Sequence, residues 1–444
     1  MRQLMTKALL ASSLALVACD LDTTNPNAPT QETVVTSAEG LMALGVGLQA
    51  RFGSSTGNFI YSAGLLTEEL GAIGTAFSTI SDAEGGTVPQ GAGITIDVWN
   101  SGYRTIKTAN DIITNAGNVE MPRGTRSGLL GLAYLFKAAA IGELLQAFEQ
   151  LAIDTYTDPT PAFVDRTTAL DAVLALLDSA ALAYADTVPS AQFTSQVLAT
   201  GLDIPNTIRA YKARYRRLAG DWADALAVAD SVSRTVFSRL PFTAQTQNPL
   251  FVSSSGSSGV LPRDAYRADP LEAQRTAYFV KDTAIAGRIG TPLDAWVVFA
   301  TNTAPIPTYY PDEVLLIKAE ALVNLNRLAE AQAVVDSVRT DCPGAGRVTT
   351  DPGPCLPPLV GVLTAPQLIA EIYRNRRYEL FATGLRWEDL RRLGEIGATR
   401  VGKRCWLPYP IVERNANPEN VPVNPEDTEP PADNAACAEI EVVP

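Results

Sequence analysis

The sequence of 444 residues contains no histidine and only five cysteines. Without histidine the chain cannot form a Ser-His-Asp triad, a Cys-His pair or a histidine-ligated zinc or haem site. Basic side chains are also few, since 35 Lys and Arg stand against 48 Asp and Glu for a formal net charge of −13. This balance argues against a nucleic-acid binder, because phosphate contacts need a basic surface. Nothing in the composition calls for a cofactor.

The first nineteen residues have the features of an export signal. Arg2 and Lys7 precede an apolar run over residues 8–18 (ALLASSLALVA) that is too short to span a bilayer. The run ends in L-V-A-C at Cys19, which resembles a bacterial lipobox. We therefore expect a signal peptide over residues 1–18, cleavage before Cys19 and acylation of that cysteine. An ordinary signal peptide followed by an incidental cysteine is the alternative. No later stretch reaches about 18 apolar residues, so we expect no other membrane span.

Polar segments flank the expected body of the protein. Residues 19–36 contain the candidate lipidated cysteine and two prolines, and predict a flexible tether. Residues 415–444 hold seven acids, six prolines and no base, which predicts an acidic, extended tail. Residues 37–414 are left as the folded domain.

The remaining cysteines are Cys342, Cys355, Cys405 and Cys437. An exported protein can form disulfides, and four cysteines allow three pairings. The local pairing joins Cys342 to Cys355 and Cys405 to Cys437, and it closes two short loops. Zinc is the alternative, although spacings of 13, 50 and 32 residues match no common zinc pattern.

Long segments of the body predict helices. Residues 129–150 and 167–186 are rich in Ala and Leu and have no β-branched runs. Residues 98–117 place apolar and aromatic side chains at helical spacing. Trp99 and Tyr103 belong to this pattern, and we expect both to pack in the core.

Residues 213–232 align without gaps on residues 319–338, with eight of twenty positions identical. Each copy has the pattern of a helix, a tight turn and a second helix. Gly220 in one copy corresponds to Asn326 in the other, and these residue types best tolerate the left-handed conformation that closes a helix. The pattern resembles the tetratricopeptide repeat, so the two pairs are expected to stack with neighbouring helices.

Three stretches lack helical periodicity and predict irregular inserts. They cover about residues 71–97, 238–310 and 341–364, and the second is rich in Gly, Ser and Pro. A long structureless segment inside a compact domain is unusual unless it has a function. We expect these inserts to pack on one face of a helical scaffold.

Residues 366–393 carry the first of several matches to a known family. From Arg376 the chain follows R-x-x-E-L-x-x-E-G-x-R-W-x-D-L-R-R, with Thr383 in place of the second glutamate. Together with Cys19-Asp20, the W-x-x-x-Y-x-x-I-x-x-A-N spacing from Trp99 and the L-P-Y-P-I-V-E-R-N-A-N-P ending from Leu407, this order resembles the SusD/RagB family of nutrient-uptake lipoproteins. The segment AFEQLAIDT, the four candidate disulfide cysteines and the acidic tail depart from the family pattern.

The resemblance implies a mainly α-helical scaffold of tetratricopeptide-like pairs with long irregular inserts. It also implies a protein that is not an enzyme and that binds an oligosaccharide or a peptide. Such proteins are held in the outer membrane by a lipid anchor, exposed at the cell surface, and deliver their ligand to a SusC-like TonB-dependent transporter.

Sugar binding needs exposed aromatic faces and planar polar side chains, which irregular segments can present. The candidates in the first two inserts are Phe77, Asp82, Glu84, Tyr266, Tyr278, Arg288, Trp296, Tyr309 and Tyr310. The arginine-rich segment 374–392 is expected to be structural, since Glu388 stands three and four residues before Arg391 and Arg392. Trp387 is expected in the core.

Two other functions remain open from the sequence. A carboxylate-based glycan hydrolase would need two acids about 5–9.5 Å apart across a cleft, and no motif selects such a pair. A ligand-free tetratricopeptide adaptor would bind proteins in its grooves, although inserts of this length are unusual in repeat scaffolds.

Overall fold

The computed structural model describes residues 34–255, 259–342, 352–393 and 405–423. The expected signal peptide, Cys19, most of the tether, Cys437 and nearly all of the acidic tail lie outside these ranges, and the expectations about them stay predictions. Within the ranges the chain is mainly α-helical, which confirms the expected fold class.

The helices and strands are numbered here in chain order. The helices are α1 Ala38–Leu66, α2 Ser78–Glu84, α3 Gly93–Asn115, α4 Arg123–Ala147, α5 Arg166–Ala185, α6 Ala191–Gln196, α7 Ile204–Leu218, α8 Trp222–Asp230, α9 Pro249–Ser253, α10 Ala273–Phe279, α11 Pro311–Asn324, α12 Leu328–Arg339, α13 Ala365–Glu379, α14 Leu385–Arg392 and α15 Ile411–Ala416. The strands are β1 Leu70–Ala72, β2 Arg239–Leu240, β3 Val260–Pro262, β4 Val280–Ala286, β5 Pro292–Trp296 and β6 Ile306–Pro307.

The strands form three antiparallel two-stranded sheets, in which β1 pairs with β3, β2 with β6, and β4 with β5. In the first sheet Leu70 lies opposite Pro262. All of these strands lie in or beside the expected inserts. The described part of the second insert therefore consists of short helices, 3₁₀ turns and short paired strands, while residues 352–364 contain no helix or strand.

The two repeats form helical pairs, α7–α8 and α11–α12, as the sequence predicts. Gly220 adopts φ +75° and Asn326 φ +57°, which confirms the left-handed turn expected at both positions. Helices α4, α5, α7, α8, α11, α12 and α13 contact one another in succession, so the pairs stack on the neighbouring helices. Helices α1 and α3 pack against α4 at the other end of this array.

Two helices are long and apolar enough to cross a membrane by length and composition alone. In α4, 78% of the apolar window is buried inside the protein, and in α5 33% is buried. The two helices pack against each other, and a helix in a protein core passes the same test. Trp387 and Trp99 are buried as expected, while Tyr103 is half-buried and donates to the carbonyl of Ala152 at 3.0 Å.

Ion pairs hold the arginine-rich C-terminal helices in place. Arg376 binds Asp389 at 2.7 Å, and Arg391 pairs with Glu388. Arg392 pairs with Glu320 of α11 at 3.0 Å, so the expected pairing of Arg392 with Glu388 is wrong. The ion pairs of Arg376, Arg391 and Arg392 are structural, as expected for the arginine-rich segment.

A disulfide joins Cys342 to Cys355, with Cα atoms 4.5 Å apart. Cys405 is also disulfide-bonded, and its expected partner Cys437 lies outside the described residues. In the described part of the chain, no three His, Cys, Asp or Glu side chains are grouped to hold a metal ion.

Candidate functional site

Five of the nine sequence-based ligand candidates are buried. Tyr309 is 1%, Tyr310 2%, Tyr266 4%, Trp296 4% and Glu84 1% exposed. These side chains cannot offer an open face to a sugar ring, so the expectation of exposure was wrong for them.

Local contacts explain this burial. The Tyr266 ring stacks on Phe381 at a centroid distance of 3.7 Å, and its hydroxyl donates to the carbonyl of Tyr378 at 2.7 Å. Glu84 accepts from the guanidinium of Arg263. The second insert therefore contributes to the main hydrophobic core, which its Gly- and Ser-rich sequence does not indicate.

The other four candidates are Phe77, Arg288, Tyr278 and Asp82. Phe77 is 60% exposed, and Arg288 is exposed with its guanidinium donating to the carbonyl of Ala76. The structure therefore brings Phe77 and Arg288 close together at the surface. Tyr278 is half-buried and packs edge-on against Phe279, and Asp82 lies in α2, with its side chain outside the description.

Between the first two inserts lies a cleft of about 450 Å³, called here the insert cleft. This volume is within the usual range for small-molecule sites. It is bounded by α1, α2, the start of α3, and α9. Its lining residues are Gly57, Asn58, Tyr61, Ser62, Thr79, Ile80, Ala92, Gly93, Ile94, Asp97, Gln247, Pro249, Val252 and Ser253.

Close helix contacts shape this cleft. A Cβ at Gly57 would lie 1.9 Å from Cγ of Pro249, so only glycine lets α9 approach α1 this closely. The side chain of Asn248 caps α9 by accepting from the amide of Leu250 at 2.8 Å, and it donates to the carbonyl of Ala304 at 2.7 Å. The second insert is thus fixed against the N-terminal helix.

The polar groups of the insert cleft suit a ligand rich in hydroxyls. Tyr61 and Asn58 are half-buried, while Asp97 and Gln247 are exposed. Burial raises the pKa of the Tyr61 hydroxyl, with a smaller contribution from Asp97, and burial also raises the pKa of Asp97. Among the described lining residues there is no Lys or Arg, and Asp97 is the one charged side chain.

None of the nine sequence-based candidates is among the described residues that line the insert cleft. Thr79, Ile80 and Asp97 come from the first insert or its edge, and Gln247 and Pro249 come from the second. The inserts were therefore a useful signal for the region, but the residues Asn58 and Tyr61 belong to α1. Their helical spacing resembles that of core residues, so no sequence pattern identifies them as cleft residues.

Comparison with known proteins relates the chain to one group. The SusD family profile matches residues 300–431. No curated protein shows significant sequence similarity to the chain.

Solved structures share the fold. A SusD superfamily protein from Bacteroides thetaiotaomicron VPI-5482 is 15% identical, with a TM-score of 0.65 over 86% of this chain and 98% of that one. A laminarin binding SusD-like protein is also 15% identical, with a TM-score of 0.65 over 85% and 97% of the two chains. A putative sugar binding protein from Bacteroides vulgatus ATCC 8482 gives 15% identity and a TM-score of 0.63 over 86% and 96%.

Proposed function

Because the chain belongs to the SusD family, we propose that it captures an oligosaccharide in the insert cleft. The observation that carries this proposal is the lining of that cleft: a half-buried Tyr61, the amides of Asn58 and Gln247, and the carboxylate of Asp97. An aromatic face packs against the C–H surface of a sugar, and planar polar groups bind its hydroxyls. Similar folds named for binding laminarin or sugar support the same ligand class.

The site of action proposed here is the outer membrane. The sequence up to Cys19 supports a signal peptide and a lipid anchor, and the family supports association with a TonB-dependent transporter. The anchored protein would hold its ligand at the cell surface and deliver it to the transporter barrel. A pull-down from detergent-solubilised membranes is expected to recover a large β-barrel protein, and recovery of no barrel would contradict the delivery step.

Binding without hydrolysis is the activity that the cleft favours. A glycosidase needs two carboxylates flanking the scissile bond, and Asp97 is the one carboxylate among the described residues of the insert cleft. Incubation of the purified protein with a glycan library is expected to give binding without release of reducing ends. Release of reducing ends that is lost in Asp97→Asn would favour the hydrolase.

A glycan array with the purified, non-lipidated protein tests the ligand class. Neutral oligosaccharides are expected to bind, and Asp97→Asn is expected to weaken their binding. An array that stays blank while barrel association persists would favour the adaptor.

A further inference from the structure

A second cavity, of about 560 Å³, lies against α13 and α14 and shares no lining residue with the insert cleft. It is called here the arginine cavity. Arg374, Arg376, Arg377 and Arg386 line it, together with Asp269 and Asp389. Four positive and two negative side chains therefore meet in one cavity of an acidic protein.

The two carboxylates are already occupied by two of the arginines. Arg374 binds Asp269 at 2.9 Å, and it also binds Glu272 at 3.0 Å. Arg376 binds Asp389 at 2.7 Å through its Nε atom. These pairs fix the walls of the arginine cavity and account for the structural role of Arg374 and Arg376.

Arg377 is different from these two arginines. Its side chain is exposed, and its charge acts at longer range on the buried carboxyl of Glu69, whose pKa burial raises and Arg377 lowers. Its guanidinium carbon lies over the ring of Tyr378, 5.5 Å from the ring centroid. A planar cation held against an aromatic ring keeps its N–H groups available for an incoming acceptor.

Arg386 adds a second cation to the same wall. It is half-buried, and both Arg377 and Arg386 also line a smaller cavity of about 290 Å³. The acids Glu68, Glu69 and Asp264 line that smaller cavity. Arg263 lines the smaller cavity as well, so its three acids are matched by three arginines. In the arginine cavity the arginines exceed the acids, and this excess positive charge attracts an anion.

A further unsatisfied donor lies beside the arginine cavity. The Nη1 atom of Arg376 is buried and has no hydrogen-bond acceptor among the described residues. A buried donor without an acceptor is costly, and excess positive charge in a cavity attracts anions. The unpaired donor of Arg376 and the excess positive charge both favour an anionic ligand.

We propose that the arginine cavity is a binding site for an oxyanion, held by the exposed Arg377. Arginine binds carboxylate, sulfate and phosphate oxygens in a two-point geometry. The oxyanion is either a free inorganic ion or the carboxylate of an acidic sugar. This site is separate from the neutral-sugar binding proposed for the insert cleft.

Isothermal titration of the purified, non-lipidated protein tests this proposal. The titrants are sodium sulfate and digalacturonate, each at constant ionic strength set with sodium chloride. At least one of them is expected to bind the wild-type protein. Binding of sulfate alone identifies a free inorganic anion, and tighter binding of digalacturonate identifies an acidic sugar. If neither titrant binds, the proposal is overturned.

The variant Arg377→Gln assigns the binding to this cavity, and its exposed position makes misfolding a small concern. The affinity is expected to fall at least tenfold in Arg377→Gln and to be partly kept in Arg377→Lys. The matched control is Arg51→Gln, an exposed arginine of α1 that does not line the arginine cavity. Unchanged affinity in Arg377→Gln, or an equal loss in Arg51→Gln, would overturn the proposal. Neutral-glycan binding should not change in any of these variants.

Discussion

Arg217 of the first repeat pair donates to Asp389 of α14 at 2.9 Å, across 172 positions of sequence. Both side chains are almost fully buried, and Arg217 also binds Glu320 of the second repeat pair at 2.5 Å. Burial raises the pKa of the Asp389 carboxyl, but Arg376 and Arg217 outweigh it and hold this pKa below its ordinary value. One arginine thus connects both repeat pairs to the C-terminal helices.

The substitution Asp389→Ala should therefore be strongly destabilising. It leaves Arg217 and Arg376 without one of their carboxylate partners in a buried site. Breaking a buried ion pair by removing one partner costs about 3–5 kcal/mol. Urea denaturation is expected to show a loss of this order in the free energy of unfolding.

The matched control is Asp230→Ala, which removes the more exposed ion pair with Lys318. Such pairs contribute about 0–1 kcal/mol, so this variant should unfold almost as the wild-type protein does. Similar effects in the two variants would contradict the connecting role of Arg217 and Asp389.

The sequence was sufficient to predict these helical pairs because their evidence is local. Gly220 and Asn326 show the turn directly, and the alternation of small and apolar residues shows the packed faces. Partners such as Arg217 and Asp389 are far apart in sequence, so their contact could not be predicted from spacing. The Glu388–Arg391 pair was predictable because both residues lie on one helix.

The candidate site was less predictable for the same reason. Exposure of an insert residue depends on what packs over it, and Tyr266 lies beneath Phe381 from a segment more than 100 residues away. Tyr61 lines the insert cleft one helical turn after Gly57, where Pro249 of α9 approaches α1. A single sequence contains no local sign of either arrangement.

The turn at Gly220 gives a second prediction. A Cβ at this position would meet open space, so Gly220→Ala adds no clash and its cost is conformational. Holding an L-residue in the left-handed region costs about 1–2 kcal/mol, and urea denaturation should show a loss of this order.

Gly47→Ala in α1 is the control, because a Cβ there also meets open space but the backbone is helical. Replacing a helical glycine by alanine where the Cβ causes no clash stabilises by up to about 1 kcal/mol. Equal free energies of unfolding for Gly220→Ala and Gly47→Ala would contradict a conformational cost at the Gly220 turn.

A buried carboxyl gives a pH-dependent prediction. Burial raises the pKa of Glu69 from its ordinary value of 4.5 to about 7, although Arg386, the amide of Ala382 and Arg377 lower it and Asp389 raises it further. The folded protein therefore holds this proton more tightly than the unfolded chain. The stabilisation from Glu69 is complete below pH 4.5 and is lost as pH rises to about 7.

The free energy of unfolding of Glu69→Gln, measured from pH 5 to pH 8, should fall less with rising pH than that of the wild-type protein. Identical slopes in the two proteins would show that Glu69 titrates normally. Glu68→Gln is a suitable control because its side chain is half-buried and lines the same small cavity.

The cysteine pairing gives a fourth prediction. The disulfide between Cys342 and Cys355 and the bonded state of Cys405 lead us to expect no free thiol in the mature, lipidated protein after denaturation without reductant. Reduction before labelling should release four thiols. Labelling of four thiols without reductant would contradict the proposal for both disulfides.

The central claim is that the insert cleft binds an oligosaccharide, and the most direct test is the affinity of the best array ligand for matched tyrosine variants. Tyr61→Ala removes the half-buried ring from the cleft, while Tyr156→Ala removes an exposed ring that does not line it. Titration should show at least a tenfold weaker affinity for Tyr61→Ala and an unchanged affinity for Tyr156→Ala, with both variants folded by circular dichroism. Wild-type affinity in a folded Tyr61→Ala protein would place the ligand elsewhere and contradict the claim.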